Sequence, residues 1–264
     1  MTQTESIITA ARRYLTEQFA YWAAKYSSQK TESGIPYTYT DTDYNLFPRY
    51  NVLRAILDRV EMLVGQYHLE PDDCKEQLRQ AGSTASDIFT GGQQNAISLQ
   101  TMQVERIKFI RFIDDLDAEA LRLVEPLPHR RRLSEVESRE VRAQLQEHWN
   151  FQGNYWEPLE KLSPRPVKFI LKEHISAGDY STITTALRKM AAPMVLEITE
   201  DRRDAEIAFS LFDPDCYETI YCDRTYEWII YGSHESTLAF GGNKLVEFVQ
   251  QLFRDRTEFL NKWI

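Results

Sequence analysis

In the first half of the chain, apolar positions recur at intervals of three and four residues, the spacing of one face of an α-helix. The clearest stripe begins at Ile7, and Thr2 with Glu5 fits a capping box just ahead of it. Prolines 126 and 128 cannot continue a helical hydrogen-bond ladder, so they end the fourth stripe. The pattern predicts five helices, over about 7–26, 49–67, 71–84, 95–125 and 134–148.

From Met194 the period becomes extended. Five short segments rich in β-branched and aromatic residues follow, and polar turns separate them. Connections this short make neighbouring strands antiparallel, because a parallel return needs a long crossover. An amphipathic C-terminal helix, capped at Asn243, has the apolar stripe to cover one face of this meander. The segments are "VLEIT", "EIAFSLF", "ETIYC", "YEWIIYG" and "STLAFGG".

These patterns predict an α+β fold: an N-terminal helical bundle followed by a small antiparallel β-meander covered by a C-terminal helix. A shift to Gly and Pro in "NFQGNYWEPLEKLSPRP" marks the boundary. We therefore predict a helical domain over 1–149, a junction over 150–166 and an α+β domain over 167–264. The start of that last domain, "VKFILKEHI", fits either a helix or a strand.

The net charge of the chain restricts the classes of partner that we expect. The chain has 264 residues and a formal net charge of −9, which disfavours nucleic acid and anionic membranes as partners. The basic run "HRRRL" has glutamates interleaved just behind it, so it predicts a solvated helix start with ion pairs. A protein partner, if there is one, is then expected to be basic.

Cysteine usage and hydropathy predict a cytoplasmic location. Cys74, Cys216 and Cys222 do not form a disulfide framework in a chain of this size. No stretch reaches the apolar length of a membrane span, and the first residues lack the layout of a secretion signal.

Contiguous catalytic and metal-binding signatures are absent from the sequence. It has no CxxC, HxH, HExxH, GxxxxGK[ST], GxGxxG or GxSxG, so we predict neither a metal nor a cofactor. Cys216, Cys222 and His234 are the one assembly that resembles a zinc site. "FGGNK" places two glycines before a helix N-terminus, which suits an anion and equally suits a plain strand-to-helix turn.

The candidate site residues are a histidine hairpin and a set of aromatic side chains. Tyr and Trp on a surface bordered by acids favour protein recognition, whereas large aromatics also commonly fill cores and domain junctions. The candidates for catalysis are His234, Glu235, Asp223 and Arg224. The candidates for binding are Trp149, Tyr155, Trp156, Tyr217, Tyr226, Ser233, His234 and Glu235.

Three functions follow from these observations. The first is an acidic cytoplasmic protein-binding module, such as an inhibitor or immunity-type partner of a basic protein. The second is an enzyme of hydrolase or acid–base type with a non-contiguous site around His234. The third is a subunit of a larger complex. A small-molecule ligand is left open by all three.

Overall fold

The computed structural model describes residues 1–29, 38–153, 156 and 163–262. The chain folds into two compact units, Met1–Leu127 and Pro128–Ile264, which we call the helical unit and the sheet unit. Within the described residues, no helix is both long and apolar enough to cross a membrane.

The helical unit buries one apolar core among its helices. Ile7, Leu53, Ile56, Phe109 and Ile113 are fully buried in that core, as the three- and four-residue periodicity requires. Its helices are α1 (Gln3–Gln29), α2 (Asp41–Glu61), α3 (Pro71–Thr84), α4 (Ala96–Asp114) and α5 (Ala118–Arg122). The predicted fourth helix is thus two helices, and Asp117 caps the second by accepting from the backbone N–H of Ala120.

Helix α2 begins before Pro48 rather than after it. Thr40 and Asp43 form a capping box at its start, and Pro48 lies inside the helix. Proline has no N–H to donate to the carbonyl four residues earlier, which belongs to Tyr44. The hydroxyl of Ser98 donates to that carbonyl at 3.3 Å instead. A side chain from α4 therefore compensates for the missing bond, a contact that local sequence does not reveal.

The sheet unit contains a seven-stranded sheet in the order β1-β4-β3-β5-β6-β7-β2, in which all neighbours are antiparallel. The predicted α+β fold is confirmed. The ambiguous segment "VKFILKEHI" is a strand followed by a 3-10 turn. The strands are β1 (Arg130–Arg132), β2 (Val167–Leu171), β3 (Met194–Thr199), β4 (Ala205–Ala208), β5 (Thr219–Cys222), β6 (Ile229–Gly232) and β7 (Thr237–Gly241). The helices are α6 (Glu135–Trp149), α7 (Ala177–Met190) and α8 (Asn243–Leu252).

Both faces of the sheet are covered, because alternate strand residues point to opposite sides and both sets are apolar. In β5, Tyr221 faces the core formed with α7 and α8, whereas Ile220 faces the core formed with α6. The sequence predicted one covering helix at the C-terminus and assigned α6 to the helical domain. The compact unit instead begins at Pro128 and includes α6, since Trp149 and Leu145 are fully buried against the sheet.

Candidate functional site

The predicted catalytic cluster is divided between the two ends of the sheet. Asp223 and Arg224 follow β5, whereas His234 and Glu235 follow β6, which is antiparallel to β5 and pairs Cys222 with Ile229. About four strand residues separate the two pairs, or roughly 13 Å of rise. The four residues therefore do not form one site, which corrects that expectation.

Asp223 is buried and is held by four donors. Its carboxylate accepts from the Trp228 indole N–H at 2.8 Å, from the Thr225 N–H and hydroxyl at 3.0 and 2.5 Å, and from the Ala192 N–H at 3.2 Å. Burial by itself raises the pKa of Asp223, but these hydrogen bonds outweigh it and leave the pKa below its usual value. Arg224 is exposed and forms an ion pair with Glu206 at 2.8 Å. Both residues therefore stabilise the β5–β6 connection.

At the opposite end of the sheet, a different set of side chains meets. We call Glu200, Tyr217, Glu218, His234 and Glu235 the acidic rim. Single ligand-type atoms of Glu200, Glu218 and His234 all lie within 4.8 Å of one another. The two glutamates are half-buried and His234 is exposed, so the group opens to solvent.

The backbone fixes this arrangement through turns at the strand ends. The N–H of Glu200 donates to the carbonyl of Glu218 at 3.1 Å, which extends the pairing of β3 with β5 by one step. Glu218 has a φ of 48°, an uncommon conformation for a residue with a Cβ, and it turns the chain into β5. The Tyr231 hydroxyl donates to a Glu200 carboxylate oxygen at 2.8 Å and holds that side chain in place.

Ser233 belongs to the hairpin scaffold. It is buried, its hydroxyl contacts that of Thr237 at 2.7 Å, and it accepts from the N–H of Glu235 at 3.2 Å. These bonds build the turn that presents His234 and Glu235 to solvent. Ser233 therefore positions its neighbours and does not offer a free hydroxyl to a partner.

More acidic groups lie beside the rim at the same end of the sheet. Asp201 follows Glu200, and Asp213 and Asp215 precede Tyr217, all with exposed side chains. Two cations lie there as well, but Lys172 pairs with Asp215 at 2.9 Å and Arg203 pairs with Asp201 at 3.5 Å, which leaves Glu200 and Glu218 outside these two pairs. The surface around Glu200 and Glu218 therefore carries an excess of negative charge.

Most of the aromatic binding candidates are in the core. Trp149, Trp156 and Tyr226 are 0, 4 and 8% exposed, and they pack α6 and the chain that follows it onto the sheet. Tyr155 lies outside the described residues. Tyr217 differs from the rest, since it is 58% exposed and borders Glu218. Of the described aromatic candidates, Tyr217 alone can present its ring to a partner.

The three-residue zinc assembly does not form. Cys216 and Cys222 belong to the cores on opposite faces of the sheet, and all three cysteines are free and buried. Burial raises the pKa of the Cys216 thiol to about 12 and also raises that of Cys222. These thiols are protonated packing groups at neutral pH.

The basic run "HRRRL" forms the edge strand β1, which corrects its assignment to a helix start. Arg130 makes a two-pronged contact with Glu197, at 3.1 and 2.6 Å, and Arg131 does the same with Glu137, at 3.1 and 2.9 Å. Arg132 donates to backbone carbonyls. The arginines therefore stabilise the sheet unit rather than provide a nucleic-acid surface.

Sequence reasoning found His234 and Tyr217 and missed Glu200 and Glu218. Glu200 directly follows the predicted strand "VLEIT" and Glu218 is the first residue of the predicted strand "ETIYC", so the signal was their position at strand ends. Using it required the strand order, which places β3 beside β5.

No protein-family model, curated protein or solved structure matches the chain.

Proposed function

We propose that the protein is a cytoplasmic protein-binding module whose acidic rim receives a basic segment of a partner protein. The proximity of the Glu200 and Glu218 carboxylates, beside the exposed ring of Tyr217, carries the proposal. An inhibitor or immunity-type protein, which neutralises a basic partner, would function in this way.

The chemistry of the rim suits an arginine or lysine side chain. Two carboxylates within 4.8 Å can accept from one guanidinium or ammonium, and charge-assisted bonds of this kind are stronger than neutral ones. An exposed tyrosine supplies apolar area and stacks on guanidinium groups, and tyrosine is enriched in interface hot spots. The rim therefore combines charge selection with an anchoring ring.

A divalent metal ion is a second candidate occupant, because the same distance also suits carboxylate and imidazole ligands. A titration with Zn²⁺ distinguishes the two. Stoichiometric, tight Zn²⁺ binding that Glu218→Gln and His234→Ala both abolish would favour the metal. Weak Zn²⁺ binding that these substitutions do not change would favour the peptide.

The direct test is calorimetric titration with an arginine- and lysine-rich peptide of about ten residues, alongside a glutamate-rich peptide of the same length. The variant Glu200→Gln/Glu218→Gln removes two charges from the rim. Its matched control, Glu247→Gln/Glu258→Gln, removes two exposed charges elsewhere in the sheet unit. Because both variants have the same net charge, a difference in peptide affinity between them depends on where the charges were removed and not on the net charge.

We expect the rim variant to weaken binding of the basic peptide about five- to tenfold, the effect of roughly 1 kcal/mol of partly exposed ion pairing. The control should change it less than twofold. Equal losses in the two variants would contradict the proposal, because the peptide would then respond to net charge alone.

The other two functions lead to different observations. The enzyme alternative loses its four-residue cluster and retains His234 with two glutamates. The complex-subunit alternative predicts that the chain elutes from native lysate only in a large species. A monomeric elution would contradict it.

A further inference from the structure

A cavity of about 580 Å³ lies at the end of the sheet opposite the acidic rim, within the sheet unit. It is bordered by Arg165, two residues before β2, and by the last turn of α7, the β5–β6 connection and the first turn of α8. Cavities of this size hold cofactor-sized and smaller ligands. Its wall includes Arg165, Lys189, Asp223, Trp228, Asn243 and Lys244.

Three cationic side chains line this cavity. The lysines Lys189 and Lys244 are exposed, and no ion pair involves them within the described part of the chain. Two acids, Asp223 and Glu227, also line it, and the hydrogen bonds around Asp223 keep that carboxylate ionised. Three cations against two carboxylates leave the lining with a net charge of +1.

The third cation, Arg165, is held in a fixed orientation. Its guanidinium donates to the carbonyl of Tyr226 at 2.7 Å, contacts Nδ1 of His148 at 2.9 Å and lies over the ring of Trp149 at 5.2 Å. These contacts use only some of its five N–H donors. An arginine held in this way meets an anion without first losing side-chain entropy.

Backbone groups add to the same charge preference. Gly242 caps α8 with a φ of 107° and no side-chain cap, and a Cβ there would lie 2.3 Å from the carbonyl of Glu227. Helix α8 has no acid in its first turn, so no carboxylate of the helix itself is available to the free N–H groups at its start. Asn243 and Lys244 in this turn are themselves lining residues.

We propose that this cavity binds a phosphomonoester, with the phosphoryl group between Lys189, Lys244 and Arg165. Three cationic side chains that line one cavity can pair with a phosphate dianion, and arginine offers it a two-pronged contact. The indole of Trp228, which Asp223 fixes through its N–H, supplies an apolar wall for the rest of the ligand. This site is independent of the acidic rim, which lies beyond the other ends of the strands.

The test is calorimetric titration of the intact chain with inorganic phosphate, with adenosine 5′-monophosphate and with adenosine. We expect the nucleotide to bind and adenosine not to bind. Lys189→Gln and Lys244→Gln should each weaken nucleotide binding at least about fivefold, as expected for a lost contact to a dianion. The control Lys262→Gln, an exposed lysine elsewhere in the sheet unit, should change it less than twofold.

Two outcomes would support the proposed site. Nucleotide binding without phosphate binding supports a phosphomonoester as the ligand. Equal affinity for nucleotide and phosphate, lost in the two lysine variants, identifies free phosphate as the ligand. Absence of binding for both probes at about 10 mM would overturn the proposal. Binding that neither lysine substitution weakens would overturn it as well. Because both lysines are exposed, the substitutions leave the fold intact and the test interpretable.

Discussion

Replacing Asp223 tests whether its carboxylate organises the end of the sheet that forms the cavity. In the native protein the carboxylate is 2% exposed and accepts four hydrogen bonds, one of them from the indole of Trp228. Asp223→Ala leaves the N–H groups of Trp228, Thr225 and Ala192 without this acceptor. The Trp228 indole N–H is buried, and an unpaired buried donor costs about 1–3 kcal/mol, whereas Thr225 and Ala192 are exposed and their N–H groups can bond water. With the lost bonds to a charged acceptor included, we expect a loss of about 2–4 kcal/mol in the free energy of unfolding of the sheet unit.

Asp223→Asn should cost less than the alanine variant. Its amide oxygen can replace Oδ2, which accepts from Trp228 and Ala192. Its amide NH₂ then faces Thr225, whose hydroxyl can reverse to accept but whose backbone N–H cannot. One lost backbone bond and the lost charge predict about 1–3 kcal/mol. The control Thr225→Ala removes a hydroxyl that donates to Asp223 and accepts from the exposed Glu227 N–H at 3.3 Å, and it should cost about 1 kcal/mol or less.

Native-state hydrogen exchange of the β5 and β6 amides measures these losses locally, which matters because a chain with two compact units need not unfold in one step. Urea unfolding followed by circular dichroism provides the global comparison. The predicted order of loss is alanine, then asparagine, then Thr225→Ala. An alanine variant that loses less than about 1 kcal/mol would show that the four hydrogen bonds to Asp223 do not stabilise this end of the sheet.

Two further predictions concern other parts of the sheet unit. The ion pair with Arg256 lowers the pKa of Asp179 to about 2, so it stabilises the fold above the usual carboxyl value and loses that contribution as pH falls from about 4 toward 2. Arg256→Met should remove about 1–2 kcal/mol at pH 7, since solvent screens the pair, and should flatten the acid limb of a stability–pH curve; an unchanged acid limb would contradict this. Gly232→Ala would place a Cβ 2.0 Å from the carbonyl of Cys216, so we expect a loss of more than about 3 kcal/mol in urea unfolding, and a loss below 1 kcal/mol would show that the hairpin can shift.

The sequence predicted the elements whose pattern is local. Helix α6 was expected over 134–148 and forms over Glu135–Trp149. Its start is predictable because the capping box involves only Ser134 and Glu137, three residues apart in the sequence. Strand β1 was missed, since three consecutive arginines have no strand alternation and are half-buried only through pairing with β4 and ion pairs across the sheet. The sequence also did not predict that α6 covers the second face of the sheet, because this packing joins residues that are distant in the chain.

Only some residues of the acidic rim could be predicted from the sequence. His234 and Tyr217 stand out as single residues in turn segments, whereas Glu200 and Glu218 gain meaning only when β3 and β5 are neighbours. The expected partnership of His234 with Asp223 failed because strand length separates residues that are near in sequence. The strand order places β3 between β4 and β5, so the β3–β4 turn, the connection before β5 and the β6–β7 turn all lie at the same end of the sheet.

A backbone amide chemical-shift titration of the chain with the basic peptide tests directly whether the acidic rim is the binding surface. We expect the largest shifts at residues 200, 217–218 and 233–236, and we expect them to disappear in Glu200→Gln/Glu218→Gln but to persist in Glu247→Gln/Glu258→Gln. Shifts concentrated in the helical unit, or spread evenly over the exposed acids of the chain, would contradict it.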